Sequence, residues 1–187
     1  MGQYLQEFFK QLFPSGRQRT IPASQSDEPL RAELLGIDQL EQLAQDLAQE
    51  HQVQPSGGSE ILLLRLDDNE IVLQDTYQLV SEAVSNNQII SPASEWLLDN
   101  FYLIEEQVRL IRKHFPKGYS RQLPALLNGP HAGYPRVYDL ILRLISHLDG
   151  RVDDQAMNRF LAAYQRSITL TLGELWAVPI MLRIALV

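Results

Sequence analysis

The residues able to do chemistry are scattered. The four histidines, His51, His114, His131 and His147, fall in four different segments, with no HExxH and no carboxylate at zinc-ligand spacing. His147 with Asp149 near a helix end reads as a dipole and capping arrangement. Glu105 and Glu106 are adjacent on a helix and point in different directions, so they make a solvated face, with Glu105 placed four residues before Arg109 for an ion pair. Glu95-Trp96 and Glu174-Leu175-Trp176 offer an acid beside a ring on which a sugar could stack. Helical spacing instead assigns Trp96 and Trp176 to packing. Gly57-Gly58 has neither the spacing nor the lysine of a phosphate loop, and no strand-elbow motif presents a serine. With no cysteine, disulfides, thiolate metal sites and cysteine nucleophiles are excluded. The residues therefore give no catalytic, no cofactor-binding and no metal-binding position.

The formal charge of -7 repels phosphate backbones, which argues against a nucleic-acid partner. The densest basic run, Arg109 to Lys117, holds four Arg and Lys along an amphipathic pattern and reads as a solvated helix face. The longest apolar runs, such as Ile61 to Leu64, fall far short of the roughly 20 residues a spanning helix needs.

The elements that would position these groups are helices. Residues 1–13 place Tyr4, Leu5, Phe8, Phe9, Leu12 and Phe13 on one face; few lysines or arginines oppose them, so packing on protein fits better than lying on a membrane. Residues 14–29 are rich in Pro, Ser and Gln and read as a linker, followed by a helical domain over 30–187. Its first helix, within Leu34 to His51, takes Asp38 as N-cap and Glu41 as the capping-box partner. A second runs from Ser59 to about Asn86 with a stripe of Leu62, Leu66, Leu73, Tyr77, Val80 and Val84; Asp67-Asp68-Asn69-Glu70 interrupts it, with Asn69 on the stripe as a buried polar contact or a kink. Ser91-Pro92 starts a third, whose seam is Leu97, Phe101, Ile104, Val108, Ile111 and Phe115. A short helix is expected around Leu123 to Leu127. Another follows from Pro135 to Asp149-Gly150, one is capped by Asp153 or Asp154, and a last one begins at the capping box of Thr171 and Glu174. No stretch alternates at period two, so no sheet is expected. The predicted class is all-α, a multi-helix bundle of antiparallel helical hairpins.

From Trp176 to Val187 the chain is almost wholly apolar, with no capping glycine. This predicts a domain cut inside its last helix, kinked at Pro179, and self-association through the exposed end.

Several phrases carry more than spacing. They are Leu34-Leu35-Gly36-Ile37-Asp38-Gln39-Leu40-Glu41, the run from Ser91 to Gln107 containing Trp96-Leu97-Leu98-Asp99-Asn100-Phe101 and Ile104-Glu105-Glu106-Gln107, Gly118-Tyr119-Ser120-Arg121-Gln122-Leu123-Pro124, Gly133-Tyr134-Pro135-Arg136-Val137-Tyr138, and Leu172-Gly173-Glu174-Leu175-Trp176-Ala177-Val178-Pro179. In that order, over about 30–187, the chain resembles the region ahead of the glycosyltransferase domain in cyclic β-1,2-glucan synthases.

The resemblance implies a large enzyme of the bacterial inner membrane. Such a protein joins glucose from UDP-glucose, with a divalent metal, into β-1,2-linked rings, and carries a phosphorylase-like module. The transferase step in that family uses acidic metal-binding motifs and Gln-x-x-Arg-Trp; neither occurs here, since Asp67-Asp68-Asn69 lies mid-helix and Trp96 and Trp176 lack the context. The expectation is a non-catalytic helical scaffold on the cytoplasmic side, without cofactor. Its partners would be the transferase and phosphorylase-like modules of the same chain. The alternative is a helical interaction module of a related large carbohydrate-active protein without ring-forming activity.

Overall fold

The computed structural model of the chain describes residues 33–148 and 152–187. The helix expected over 1–13, the linker over 14–29 and Asp149 lie outside the described residues. Among those described, seven helices and one two-residue strand pair form an all-α structure.

Helix α1 (Ile37–Glu50) buries Leu40, Ala44, Leu47 and Ala48, a single face at helical period, against α6 (Asp154–Gln165). Its start differs from expectation. The N-cap is Gly36, whose N–H donates to Gln39 Oε1 at 2.9 Å. Asp38 and Glu41 are thereby freed from capping, and both pair with Arg159 of α6. Glu41 is also 3.7 Å from Arg166. Asp153 caps α6 by accepting from the Ala156 N–H at 2.6 Å, as expected.

Helices α2 (Ile61–Ser85) and α3 (Pro92–His114) form an antiparallel hairpin. Its base is set by Arg112, which reaches Asp67 at 2.8 Å and Glu70 at 2.5 Å. The acidic interruption of α2 thus meets a cation across the hairpin, and Asn69 leaves the helix unbroken. Farther out, Tyr77 stacks on Phe101 with ring centroids 4.4 Å apart. Ser91 caps α3 through the Ser94 N–H, with Pro92 at the first helical position. The α3 seam is buried at Phe101, Val108, Ile111 and Phe115. The α2 stripe is not. Only Leu62 and Leu66 are buried, and Val84 is exposed, because two helices alone meet along one line and cover each side chain on one flank at most. Glu105 and Arg109 form no ion pair among the described residues; both are exposed.

The helix expected around Leu123 to Leu127 is replaced by a one-turn α4 (Tyr119–Gln122) and a strand. Pro124 forces the residue before it out of the helical region, and Leu123 has φ -83° and ψ 145°. The chain then pairs β2 (Ala125–Leu126) antiparallel with β1 (Val53–Gln54), Val53 facing Leu126, so a minimal sheet exists where none was predicted.

Helix α5 (Arg136–Ser146) is central. Val137, Leu140, Ile141 and Leu144 are wholly buried, and α7 (Leu172–Leu186) packs along it. Thr171 and Glu174 make the predicted capping box, and α7 continues through Pro179 as one helix. The hairpin scheme therefore describes α2 and α3, whereas α1 with α6 and α5 with α7 join helices distant in sequence.

Candidate functional site

Helix α5 carries three charged residues, Arg136, Asp139 and Arg143, at helical spacing within an apolar sequence. The fold surrounds Asp139 with two of the scattered histidines. His51, just past α1, places Nε2 3.1 Å from Asp139 Oδ2, and His131, on the loop before α5, places Nδ1 2.5 Å from Asp139 Oδ1. The other nitrogen of His51 lies 3.0 Å from the Tyr164 hydroxyl of α6. A carboxylate only accepts, so the two ring nitrogens facing it carry hydrogens. A neutral His51 then has a bare Nδ1, which accepts the Tyr164 O–H.

Burial acts to raise the Asp139 carboxyl, but the hydrogen bonds from His131 and His51 outweigh it and hold it well below the usual carboxylate range. Burial pushes the Tyr164 phenol up to about 12, although the Arg136 guanidinium opposes the rise. Tyr164 thus keeps its proton at neutral pH. His51 bridges Asp139 and Tyr164, His131 holds the other oxygen of Asp139, and among the described residues no cluster of His, Asp and Glu could hold a metal ion. What the arrangement does is fasten: one carboxylate ties the end of α1, the loop before α5, α5 itself and, through His51, α6.

Beside it, Arg136 and Glu174 form a buried ion pair between the first turns of α5 and α7, and Arg136 lies 5.7 Å from the Tyr164 ring centre. The remaining histidines stay apart. His147 Nδ1 is 2.7 Å from the Glu33 carbonyl oxygen, and His114 is exposed at the end of α3.

The tryptophans overturn the packing expectation. Trp96 is 57% and Trp176 73% exposed. Each sits in the first turns of its helix, on the side away from the core, where helical spacing alone cannot tell an inner from an outer position. Trp96 instead lines an open groove of about 500 Å³ between α3 and α7, with Leu73, Leu103, Ile104, Pro179 and Leu186. The polar side chains on its wall, Gln107 and Arg183, hydrogen-bond to each other. Glu95 and Glu106 point to solvent.

No family model matches the chain. Over 121 residues, 64% of the chain, it is 34% identical to the cyclic beta-(1,2)-glucan synthase NdvB of Rhizobium meliloti (strain 1021). The chain is similar to a glucan synthase. It spans about 4% of that relative's length. This supports the relationship expected from the residue phrases. Those phrases turn out to hold the fold's fixtures: Gly36 and Gln39 at the α1 cap, Ser91 at the α3 cap, Pro124 at the turn, and Arg136 with Glu174 in the buried pair. Sequence spacing missed the Asp139 cluster because His51 is 88 positions away from the carboxylate it bonds. The legible signal was the charge on α5: Arg136, Asp139 and Arg143, three and four apart, need partners if that helix is buried.

Proposed function

We propose that this chain is a non-catalytic helical part of a cyclic β-1,2-glucan synthase-like membrane glycosyltransferase, serving as a scaffold for catalytic modules in the same protein. The similarity to NdvB over 121 residues carries this reading. The structure adds support, because the most densely connected polar groups are engaged with one another in holding helices together. In this reading UDP-glucose and a divalent metal act at another module, and the helical part sits on the cytoplasmic side of a bacterial inner membrane. No helix among the described residues is long and apolar enough to cross a membrane. The small share of NdvB that is matched keeps a second reading open: an interaction module of a related carbohydrate-active protein that makes no rings.

Two measurements test the proposal. The purified chain, given UDP-glucose with magnesium or manganese, is expected to release no UDP above the buffer control. Deleting codons 33–187 from the chromosomal gene is expected to abolish cyclic glucan in cell extracts. UDP release by the chain alone, or undiminished glucan after the deletion, overturns it.

A further inference from the structure

We propose that the groove between α3 and α7 is a docking site for a partner protein, which lays a cationic amphipathic helix in it. The inference stands apart from the reading above, since it concerns a surface rather than a reaction.

The groove is apolar and open. Trp96, Leu103 and Ile104 of α3 face Pro179 and Leu186 of α7 across about 500 Å³, and Trp96 and Leu186 are exposed. Its two polar side chains, Gln107 and Arg183, hydrogen-bond to each other, which leaves few free donors and acceptors for a sugar or a nucleotide. A cleft between two helices is filled by the ridge of a third. From Trp96 to Gln107 the α3 wall rises about 16 Å, or about three helical turns.

Charge names the partner. From Leu66 to Val108 the hairpin of α2 and α3 holds nine Asp and Glu and no Lys or Arg. Arg112 takes up Asp67 and Glu70, and the remaining carboxylates meet no cation among the described residues. Three of them border the groove. Trp96, Asp99, Leu103 and Glu106 succeed one another at spacings of three, four and three along one face of α3, with Glu95 one turn before Asp99. Glu95, Asp99 and Glu106 are all exposed. The helix dipole favours an acid in the first turn, which accounts for Glu95; Asp99 and Glu106 lie beyond its reach. The wall is therefore an apolar strip edged by unpaired negative charge, on the side away from the buried Phe101 and Val108.

That charge rejects the other candidates. A second copy would bring the same carboxylates together, and an anionic bilayer or a nucleic acid would meet like charge. A helix with apolar residues at spacings of three and four fills the strip, while lysines or arginines on its flank meet Glu95, Asp99 and Glu106.

Trp96 is the reporter for the test, being the sole tryptophan once Trp176→Phe is made. The probes are a leucine–lysine peptide of about four turns in amphipathic order, its leucine–glutamate counterpart, and the lysine peptide with its leucines spread round the helix. The first is expected to bind one to one, to shift the Trp96 emission to the blue, and to weaken with added salt. Its affinity should fall about tenfold in E95Q/D99N/E106Q, which removes three exposed ion pairs, and about as much in L103D. The other two peptides should bind more weakly than the first by a similar factor. No binding by the lysine peptide overturns the proposal. So does equal affinity for the glutamate peptide or for the triple variant, since the rim then selects nothing, and equal affinity for L103D, which moves the site off the groove. A blue shift that grows with chain concentration in the absence of peptide assigns the groove to a second copy. One produced by phosphatidylglycerol vesicles alone assigns it to a membrane, and either result overturns the proposal.

Discussion

The Arg136 guanidinium holds both oxygens of the Glu174 carboxylate, Nε to Oε1 at 2.8 Å and Nη2 to Oε2 at 2.6 Å, with the two side chains 4% and 0% exposed. The same Oε2 accepts from the Thr171 N–H at 2.8 Å and the Thr171 hydroxyl at 3.0 Å. One carboxylate therefore closes the start of α7 and ties it to α5. Burial disfavours the Arg136 charge, and Glu174 more than restores it.

Removing one partner strands the other charge in the interior. Arg136→Met or Glu174→Leu alone should each cost about 3–5 kcal/mol in urea unfolding. The double variant should cost clearly less than the sum, because it leaves no unpaired charge. Additive losses would show that the two residues act independently.

Asp139 gives a pH signature. Its carboxyl titrates lower in the folded chain than in the unfolded one, where it lies near 3.9. Its contribution is therefore fully present above about pH 4 and is lost as pH falls through the lower folded value. In Asp139→Asn an amide donor must face one of two imidazole donors, which should cost about 1–3 kcal/mol at neutral pH. The difference between wild type and variant should shrink as pH drops below about 4. A gap that stays constant down to strong acid would mean the carboxylate is not what the histidines stabilise.

Gly58 is buried against the turn that carries α4. A Cβ there would lie 2.4 Å from the Ser120 carbonyl oxygen, a backbone atom with little room to move. Gly58→Ala should destabilise by about 1–3 kcal/mol through overpacking. Thermal melting checks this, and an unchanged midpoint would show that the β1–α2 connection yields freely.

The sequence made the helical class legible because caps and apolar periods are local. Ser91-Pro92, Asp153 and the Thr171–Glu174 box sit where their side chains predict. The β1–β2 pair was not legible, since two residues cannot display an alternating period. Nor could capping chemistry reveal that Asp38 and Glu41 face arginines more than 100 positions downstream, a pairing created when α6 packs on α1. The Asp139 cluster was hidden for the same reason: its spacing exists only in the folded chain.

The tryptophans mark the limit of periodicity. A large aromatic residue at helical spacing is ordinarily core, yet Trp96 and Trp176 stand on outward faces while Phe160 and Leu140 are fully buried. The stability cost of truncation follows the area removed from water, so the exposed rings should contribute little. Trp96→Ala and Trp176→Ala should each change stability by less than about 1 kcal/mol, within the range of surface substitutions. Phe160→Ala should cost about 3–5 kcal/mol, the transfer loss plus the cavity it leaves. Urea titrations of the three variants under one condition separate the cases. Should Trp96→Ala alone cost as much as Phe160→Ala, its ring must be covered by something beyond the described helices, and the groove would be filled in the native chain.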